Sequence, residues 1–319
     1  LTAGLRFNSA QIDTRDRSGR APELNGSHQY TRINPMAGLT WKLADWISLF
    51  GGYSEANRAP TPLELDCADP NLPCLLEGSL VADPPLKQVV AHTGEVGLRG
   101  HTATGAGTLS WSAGLFNTDS DNDIVALAST IAGRGYFANV PETRRRGLDV
   151  SARFKAAGWS TFFTYSWLDA TYQFTGLLAS PNNPNADSDG NVLVTPGRHI
   201  PLNPAQQLRA GGDLEVLDGL TLGADLAFTG SQYFDGDPAN QNAKLPPFWT
   251  VNLRGSYRVT PDWEIYGLVN NLFDRHDATY GTYYEPDEAQ DFTTIPLNDP
   301  RTITLRQPIS FQLGIRMAL

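Results

Sequence analysis

No stretch of the 319-residue sequence approaches the ~20 uninterrupted apolar residues that a membrane-spanning helix requires, which excludes a helical membrane protein. Basic residues are in deficit: 24 Lys+Arg face 34 Asp+Glu, for a net charge of −10. That balance argues against a nucleic-acid partner, which takes a basic face to neutralise phosphates. Charge of either sign is sparse, at 18% of residues. There are two cysteines and five histidines (His28, His92, His101, His199 and His276), the latter scattered along the chain. No nucleophile elbow, His–acid pairing or phosphate-cradling glycine loop is found. Nothing points to bond-making chemistry, a metal centre or a cofactor. Aromatic side chains, by contrast, are plentiful: 7 Trp, 11 Tyr and 14 Phe, far more than disordered segments carry. Yet mean hydropathy is −0.30. A fold that alternates apolar and polar residues throughout reconciles the two.

That alternation is present. Leu148, Val150, Ala152 and Phe154 interleave with Asp149, Ser151, Arg153 and Lys155. Leu208, Ala210, Leu214 and Val216 interleave with Arg209, Asp213 and Glu215. From Phe311 to Leu319 every odd position is large and apolar and every even one small or polar. A period of two is the strand signature, and no segment has a convincing helical period. Twelve strands are expected, over residues 1–14, 30–43, 46–56, 91–100, 108–118, 136–154, 159–174, 200–216, 220–232, 248–260, 263–276 and 302–319. Tight turns at Ala44-Asp45, Ala157-Gly158, Leu217-Asp218-Gly219 and Pro261-Asp262 alternate with long links over 15–28, 57–90, 119–137, 176–198, 231–247 and 277–301. Short connections on one rim and long ones on the other are the pattern of an antiparallel transmembrane β-barrel in a bacterial outer membrane. Trp41, Trp46, Trp159 and Trp263 track the short turns, as an interfacial aromatic girdle does. The bland alternative is a set of ordinary core tryptophans capping a sandwich.

Several stretches resemble the barrel of the TonB-dependent outer-membrane receptors. They are Gly52-Tyr53-Ser54-Glu55-Ala56-Asn57-Arg58-Ala59-Pro60, Glu95-Val96-Gly97-Leu98-Arg99, and the run from Asn139 through Arg144-Arg145-Arg146 to Val150. Further on come Ile200-Pro201-Leu202-Asn203-Pro204 and Val269-Asn270-Asn271-Leu272-Phe273-Asp274. Each motif alone is weak; five in order across almost the whole chain are specific. The last strand departs from the pattern in ending on Leu319, where the family prefers an aromatic. The resemblance implies a 22-stranded barrel plugged by an N-terminal domain. Residues 1–319 then read as about its last twelve strands, without plug, TonB box or signal peptide. It also implies uptake of an iron chelate, typically a ferric siderophore, with the TonB energy-coupling complex, outer-membrane lipid and lipopolysaccharide as partners. Glu95, Arg99, Asp149, Arg153, Arg209, Asp213, Asp225, Arg254 and Arg316 would line the lumen and face the plug. The competing expectations are a complete twelve-stranded porin-like channel and a soluble β-rich binding domain.

In the long links, Tyr136, Arg145, Gln232, Tyr233, Tyr280, Tyr283 and Tyr284 suit a planar or anionic chelate, through stacking and charge-assisted hydrogen bonds. An extracellular aromatic girdle explains the tyrosines as well. Cys67 and Cys74, with six residues between them in a surface loop, read as a disulfide; a metal site would need further ligands, and none is adjacent. Asp187-Ser188-Asp189-Gly190-Asn191 resembles half of a calcium loop but is followed by no bidentate acid. Asx-turn chemistry explains it equally. Asp119, Asp121 and Asp123 share that ambiguity.

Overall fold

The computed structural model describes residues 1–19, 22–71, 86–131, 134–284 and 299–317. In chain order its strands are β1 (Thr2–Thr14), β2 (Gly26–Ala44), β3 (Ile47–Arg58), β4 (Val89–Thr104), β5 (Gly107–Ala128), β6 (Gly135–Ala156), β7 (Trp159–Tyr172), β8 (Gly176–Ala179) and β9 (Asn191–Val194). They continue with β10 (Gln206–Leu217), β11 (Leu220–Thr229), β12 (Phe248–Arg258), β13 (Trp263–Asn270), β14 (Ala278–Tyr283), β15 (Arg301–Leu305) and β16 (Ser310–Met317). Twelve of these form one antiparallel sheet in the order β1-β2-β3-β4-β5-β6-β7-β10-β11-β12-β13-β16. The pairs β8–β9 and β14–β15 are separate hairpins within the long connections. The sheet is open, since β1 pairs only with β2 and β16 only with β13.

The register carries the two-residue period across the whole wall. Leu49, Leu98, Ala113, Val150, Tyr165, Leu208, Phe228 and Trp249 lie directly opposite one another on successive strands. One step along, on the other face, runs the row Ser48, Arg99, Ser112, Ser151, Thr164, Arg209, Ala227 and Thr250. A slip of one residue in any strand would exchange the faces. The apolar face is bare in the protein alone: Leu313 is 81% exposed and Leu115 56%. On the polar face, rings lie over glycines of the neighbouring strand. A Cβ at Gly147 would stand 2.7 Å from the Phe116 ring and run into the Trp167 carbonyl, so this position takes no side chain.

Several expected boundaries move. The long link expected over 119–137 shrinks to 129–134, because β5 continues to Ala128 and β6 starts at Gly135, paired from Asp123↔Val140 to Ala128↔Gly135. The apolar Ile124-Val125-Ala126-Leu127 supplies strand propensity beyond the wall, and the Phe137 amide donates to the Cys67 carbonyl (2.7 Å). The strand expected over 200–216 begins only at Gln206, after Leu202 adopts a left-handed φ of 60°. The strand expected over 263–276 ends at Asn270, followed by left-handed Asn271 and Asp274. The last expected strand divides into β15, in a loop hairpin, and β16 in the wall, with Pro308 between them. Ala318 and Leu319 lie outside the described residues. Among the described residues, helix is confined to one 3-10 turn, Pro22–Leu24, and the single turn α1 (Pro62–Leu65), opened by a Thr61/Glu64 capping box.

Buried apolar side chains sit where the long connections pack, not in the wall. One cluster joins Val140, Tyr172, Leu178 and Val194; another joins Phe234, Leu245 and Tyr283. The four turn tryptophans are 44–60% exposed, which excludes the sandwich-core alternative for them. Among the described residues, no helix is long and apolar enough to cross a membrane, a fact that says nothing about crossing by strands.

Candidate functional site

All nine charged residues expected to line a lumen share the polar face by register. Their surroundings differ along the sheet. Toward β16 the charges neutralise one another: Arg254 Nε donates to Asp213 (2.7 Å) and its Nη1 to Asp225 (3.0 Å), while Arg316 pairs with Glu264 (3.1 Å). Asn252 donates to the second Asp225 oxygen (2.9 Å). Toward β4–β6, Asp149 accepts from Ser166 (2.5 Å), and Arg99 and Arg153 line a groove of ≈ 600 Å³ near the short turns. Its floor is hydroxylated, with Ser112 and Ser151 joined at 2.8 Å.

At the opposite rim the long connections enclose a cavity of ≈ 560 Å³. Its walls are the extension of β5, the β8 hairpin, the turn Ile200-Pro201-Leu202, the loop around Asp235-Gly236 and β14. Ile124, Val125, Leu127, Leu178, Ile200 and Leu202 make it apolar; Asp123, Arg145, Tyr172, Asp235, Thr282 and Tyr283 supply the polar groups. Asn122, left-handed at φ 52°, sits at the bend where β5 leaves the regular alternation, and Asp123 meets Thr143 and Arg145 of the polar face. There Asp123 accepts from Thr143 (2.6 Å) and from Arg145 Nη2 (3.0 Å). Leu202 has no side-chain chemistry that favours its left-handed backbone, and strain of this kind concentrates at binding sites.

The loops that frame the cavity are sewn together. Asp237, with 0% of its surface exposed, accepts from the amides of Gln241 and Asn242 at 3.0 Å each. The Gly236 carbonyl accepts from Ser180 Oγ (2.5 Å) and Asn183 Nδ2 (2.7 Å). The Asn240 amide brackets the His199 backbone at 2.5 and 2.9 Å. On β15, Arg301 grips Asp299 through Nε and Nη2 and holds that carboxyl down to about 2. A cavity built this way is pre-formed.

Of the seven loop candidates, the cavity gathers two. Arg145 lines it. So does Tyr283, whose hydroxyl is buried with no hydrogen-bond partner among the described residues. Burial, and after it the nearby Asp237 carboxylate, push that phenol up to about 12. Two others stand behind the wall. Tyr280 donates to Asp235 (3.1 Å), and buried Gln232 donates to the Thr279 carbonyl (3.1 Å). Tyr136, Tyr233 and Tyr284 are placed elsewhere: Tyr136 opposite Leu127, Tyr233 against His199, Tyr284 with its amide on the Pro300 carbonyl. Sequence reasoning passed over Tyr172 and Asp235. The Asp-Gly-Asp-Pro run at 235–238 was a turn signal that marked the second; nothing marked the first.

The remaining candidates resolve into local roles. Asp187 Oδ1 accepts from the amides of Asp189 (3.0 Å) and Asn191 (2.9 Å), with Gly190 left-handed, which is Asx-turn geometry. Asp119 binds Arg144 (2.5 Å) and Asp121 faces His92 (3.3 Å). Among the described residues, no three acids, histidines or cysteines converge as a metal site. Cys67 is buried and disulfide-bonded, while Cys74 lies outside the described residues.

Residues 1–272 match the family model described as TonB dependent receptor-like, beta-barrel, and the chain belongs to that family. The family is one of outer-membrane β-barrel receptors and transporters, not of enzymes. The chain is 25% identical to the ferric enterobactin receptor of Pseudomonas aeruginosa, over 86% of its own length and 35% of that protein's. Among solved structures it resembles the copper transporter OprC (TM-score 0.69, 19% identity, covering 99% of this chain and 44% of that one). It also resembles the siderophore receptor PiuA of Acinetobacter baumannii (TM-score 0.68, 19% identity, 99% and 40%). The chain spans little more than a third of the length of the curated relatives it matches.

Proposed function

We propose that this chain forms about the last twelve strands of a 22-stranded, plugged outer-membrane receptor that takes up an iron chelate, a ferric siderophore, by TonB-coupled transport. The observation that carries the reading is the pre-formed cavity at the long-loop rim. Its ≈ 560 Å³ falls within the ~300–1,000 Å³ of small-molecule sites. Apolar walls with one guanidinium and a buried phenol suit a compact organic ligand carrying acceptor oxygens. The polar face below would line the path inward, and the open sheet edges at β1 and β16 would continue into the rest of the barrel. A passive twelve-stranded channel would instead join β1 to β16, and these are not paired.

Equilibrium binding of ferric chelates, haem, cobalamin and copper complexes to the full-length receptor tests the reading. A ferric siderophore is expected to bind tightest, and Arg145→Gln to weaken it about tenfold, the worth of one charge-assisted hydrogen bond. Preference for a copper complex, or no binding of any chelate, would overturn it.

A further inference from the structure

The cavity at the long-loop rim holds one acid more than it holds base. Among the described residues that line it, Asp123 and Asp235 carry carboxylates and Arg145 alone carries a guanidinium. Arg145 is already committed: its Nη2 donates to Asp123 (3.0 Å) and its Nη1 to Thr143 (2.9 Å). Asp235 has no such counter-ion. Its Oδ2 accepts from the Tyr280 hydroxyl (3.1 Å), and its Oδ1 meets no donor among the described residues. The backbone beneath it is fastened to β14, through the amide on the Gly281 carbonyl (2.8 Å) and a bridge to Thr282. That fastening keeps the carboxylate at the cavity wall.

Two phenols share the same space. Tyr172 and Tyr283 are 4% and 7% exposed and both line the cavity. Neither hydroxyl makes a hydrogen bond among the described residues. Tyr172 lies in the field of Asp235 and Asp123, and Tyr283 in that of the buried Asp237. A buried hydroxyl without a partner is costly, so each is a donor kept for an acceptor that arrives from outside. The charge of that arriving molecule is constrained as well. A ferric complex of net negative charge would meet the Asp235 carboxylate in a site largely shielded from water, where like charges repel strongly. A complex without net negative charge escapes that penalty, and an ammonium group on it would gain a charge-assisted hydrogen bond.

We propose that this cavity selects ferric complexes of the tris-hydroxamate kind, free of net negative charge, with a pendant amine on Asp235 and the Tyr172 and Tyr283 hydroxyls donating to the hydroxamate oxygens. The unpaired carboxylate supplies the discrimination, since a repulsive group rejects the wrong ligand as effectively as an attractive one holds the right one. The inference rests on the siderophore reading and narrows it to one charge class, opposite in sign to that of catecholate complexes.

Equilibrium binding of three ferric complexes to the full-length receptor tests the proposal. They are ferrioxamine B, a monocationic tris-hydroxamate with a free amine, its neutral N-acetylated derivative, and the trianionic enterobactin complex. Ferrioxamine B is expected to bind about tenfold more tightly than the acetylated form, and ferric enterobactin to bind weakest. Asp235→Asn, which keeps an acceptor for Tyr280, should bring the two hydroxamates to equal affinity. The Tyr172→Phe/Tyr283→Phe double variant should weaken both by a common factor and preserve the preference for the amine. Ferric enterobactin bound tightest, or an amine preference that survives Asp235→Asn, would overturn this inference and leave the siderophore reading standing. Failure of every ferric complex to bind would sink both. Should Asp235→Asn not fold, the wild-type ratio of ferrioxamine B to its acetylated form decides alone, and equal affinities would overturn the proposal.

Discussion

The two rims of this sheet are built on opposite principles. At the short-turn rim the chain reverses in a few residues, as at Gly158 and Gly219, both left-handed at φ 77°. Its tryptophans stand exposed, and an ion pair such as Lys42–Asp45 is fully wetted, with Asp45 99% exposed. At the long-loop rim the connections pack on one another, and the buried apolar residues, from Leu65 at 0% exposed to Tyr283 at 7%, gather there. In a soluble sheet the core would lie against one face of the strands. Here, among the described residues, no second layer packs on the wall, and protein–protein burial is left to the loops. The wall is held by its hydrogen-bond ladder and register; the loop rim is held like a small globular domain.

The sharpest way to break that comparison is to empty the loop core. Leu245→Ala, at 2% exposure beside Phe234 and Tyr283, should cost the loop unit about 2–5 kcal/mol. Hydrogen exchange should then rise in β14, β15 and the 230–247 loop and stay unchanged in β4–β6. Uniform acceleration along the wall would show one cooperative unit instead of two. The converse experiment is Gly147→Ala in the wall, where the new methyl meets the Phe116 ring and the Trp167 carbonyl. A loss of about 1–3 kcal/mol is expected, seen as a lower unfolding temperature of the barrel with the loop exchange pattern preserved.

A third, smaller effect separates the rims by pH. Because the Tyr283 phenol is raised from its ordinary 10 to about 12, it stabilises the folded loops fully below pH 10 and loses that contribution as pH climbs through 12. Loop exchange should therefore quicken across that interval, and Tyr283→Phe should remove the pH dependence while costing little at pH 7, since the hydroxyl has no described partner. The smallest effect belongs to the short-turn rim. Asp45→Asn should change stability by less than about 0.5 kcal/mol, as expected of an exposed ion pair, and a larger loss in thermal unfolding would contradict the wetted character of that rim.

Much of the wall was legible in the residues themselves. Alternation in segments such as 147–155 and 208–216 admits one register per strand, because a slip would carry Asp149 or Asp213 onto the apolar face. The alternation of short and long links placed the rims, and the five motifs named the family. The candidate site was far less legible. Arg145 and Tyr283 are 138 positions apart and reach one cavity only because β6 and the β14 hairpin emerge on the same rim. Tyr233, equally aromatic and equally within a long link, turns to the other side and stacks on His199.

By itself, then, the sequence determined strand existence, facing and class, since a two-residue period is a local property that each strand expresses alone. The tertiary structure decided what depends on the meeting of distant segments. It carried β5 and β6 past the expected loop, because their apolar ends found each other and Cys67. It turned Asp187 to its own backbone, made Asp237 a buried knot between two loops, and settled which side of the wall each loop residue serves. Those outcomes follow from packing among connections whose sequences have no period to read.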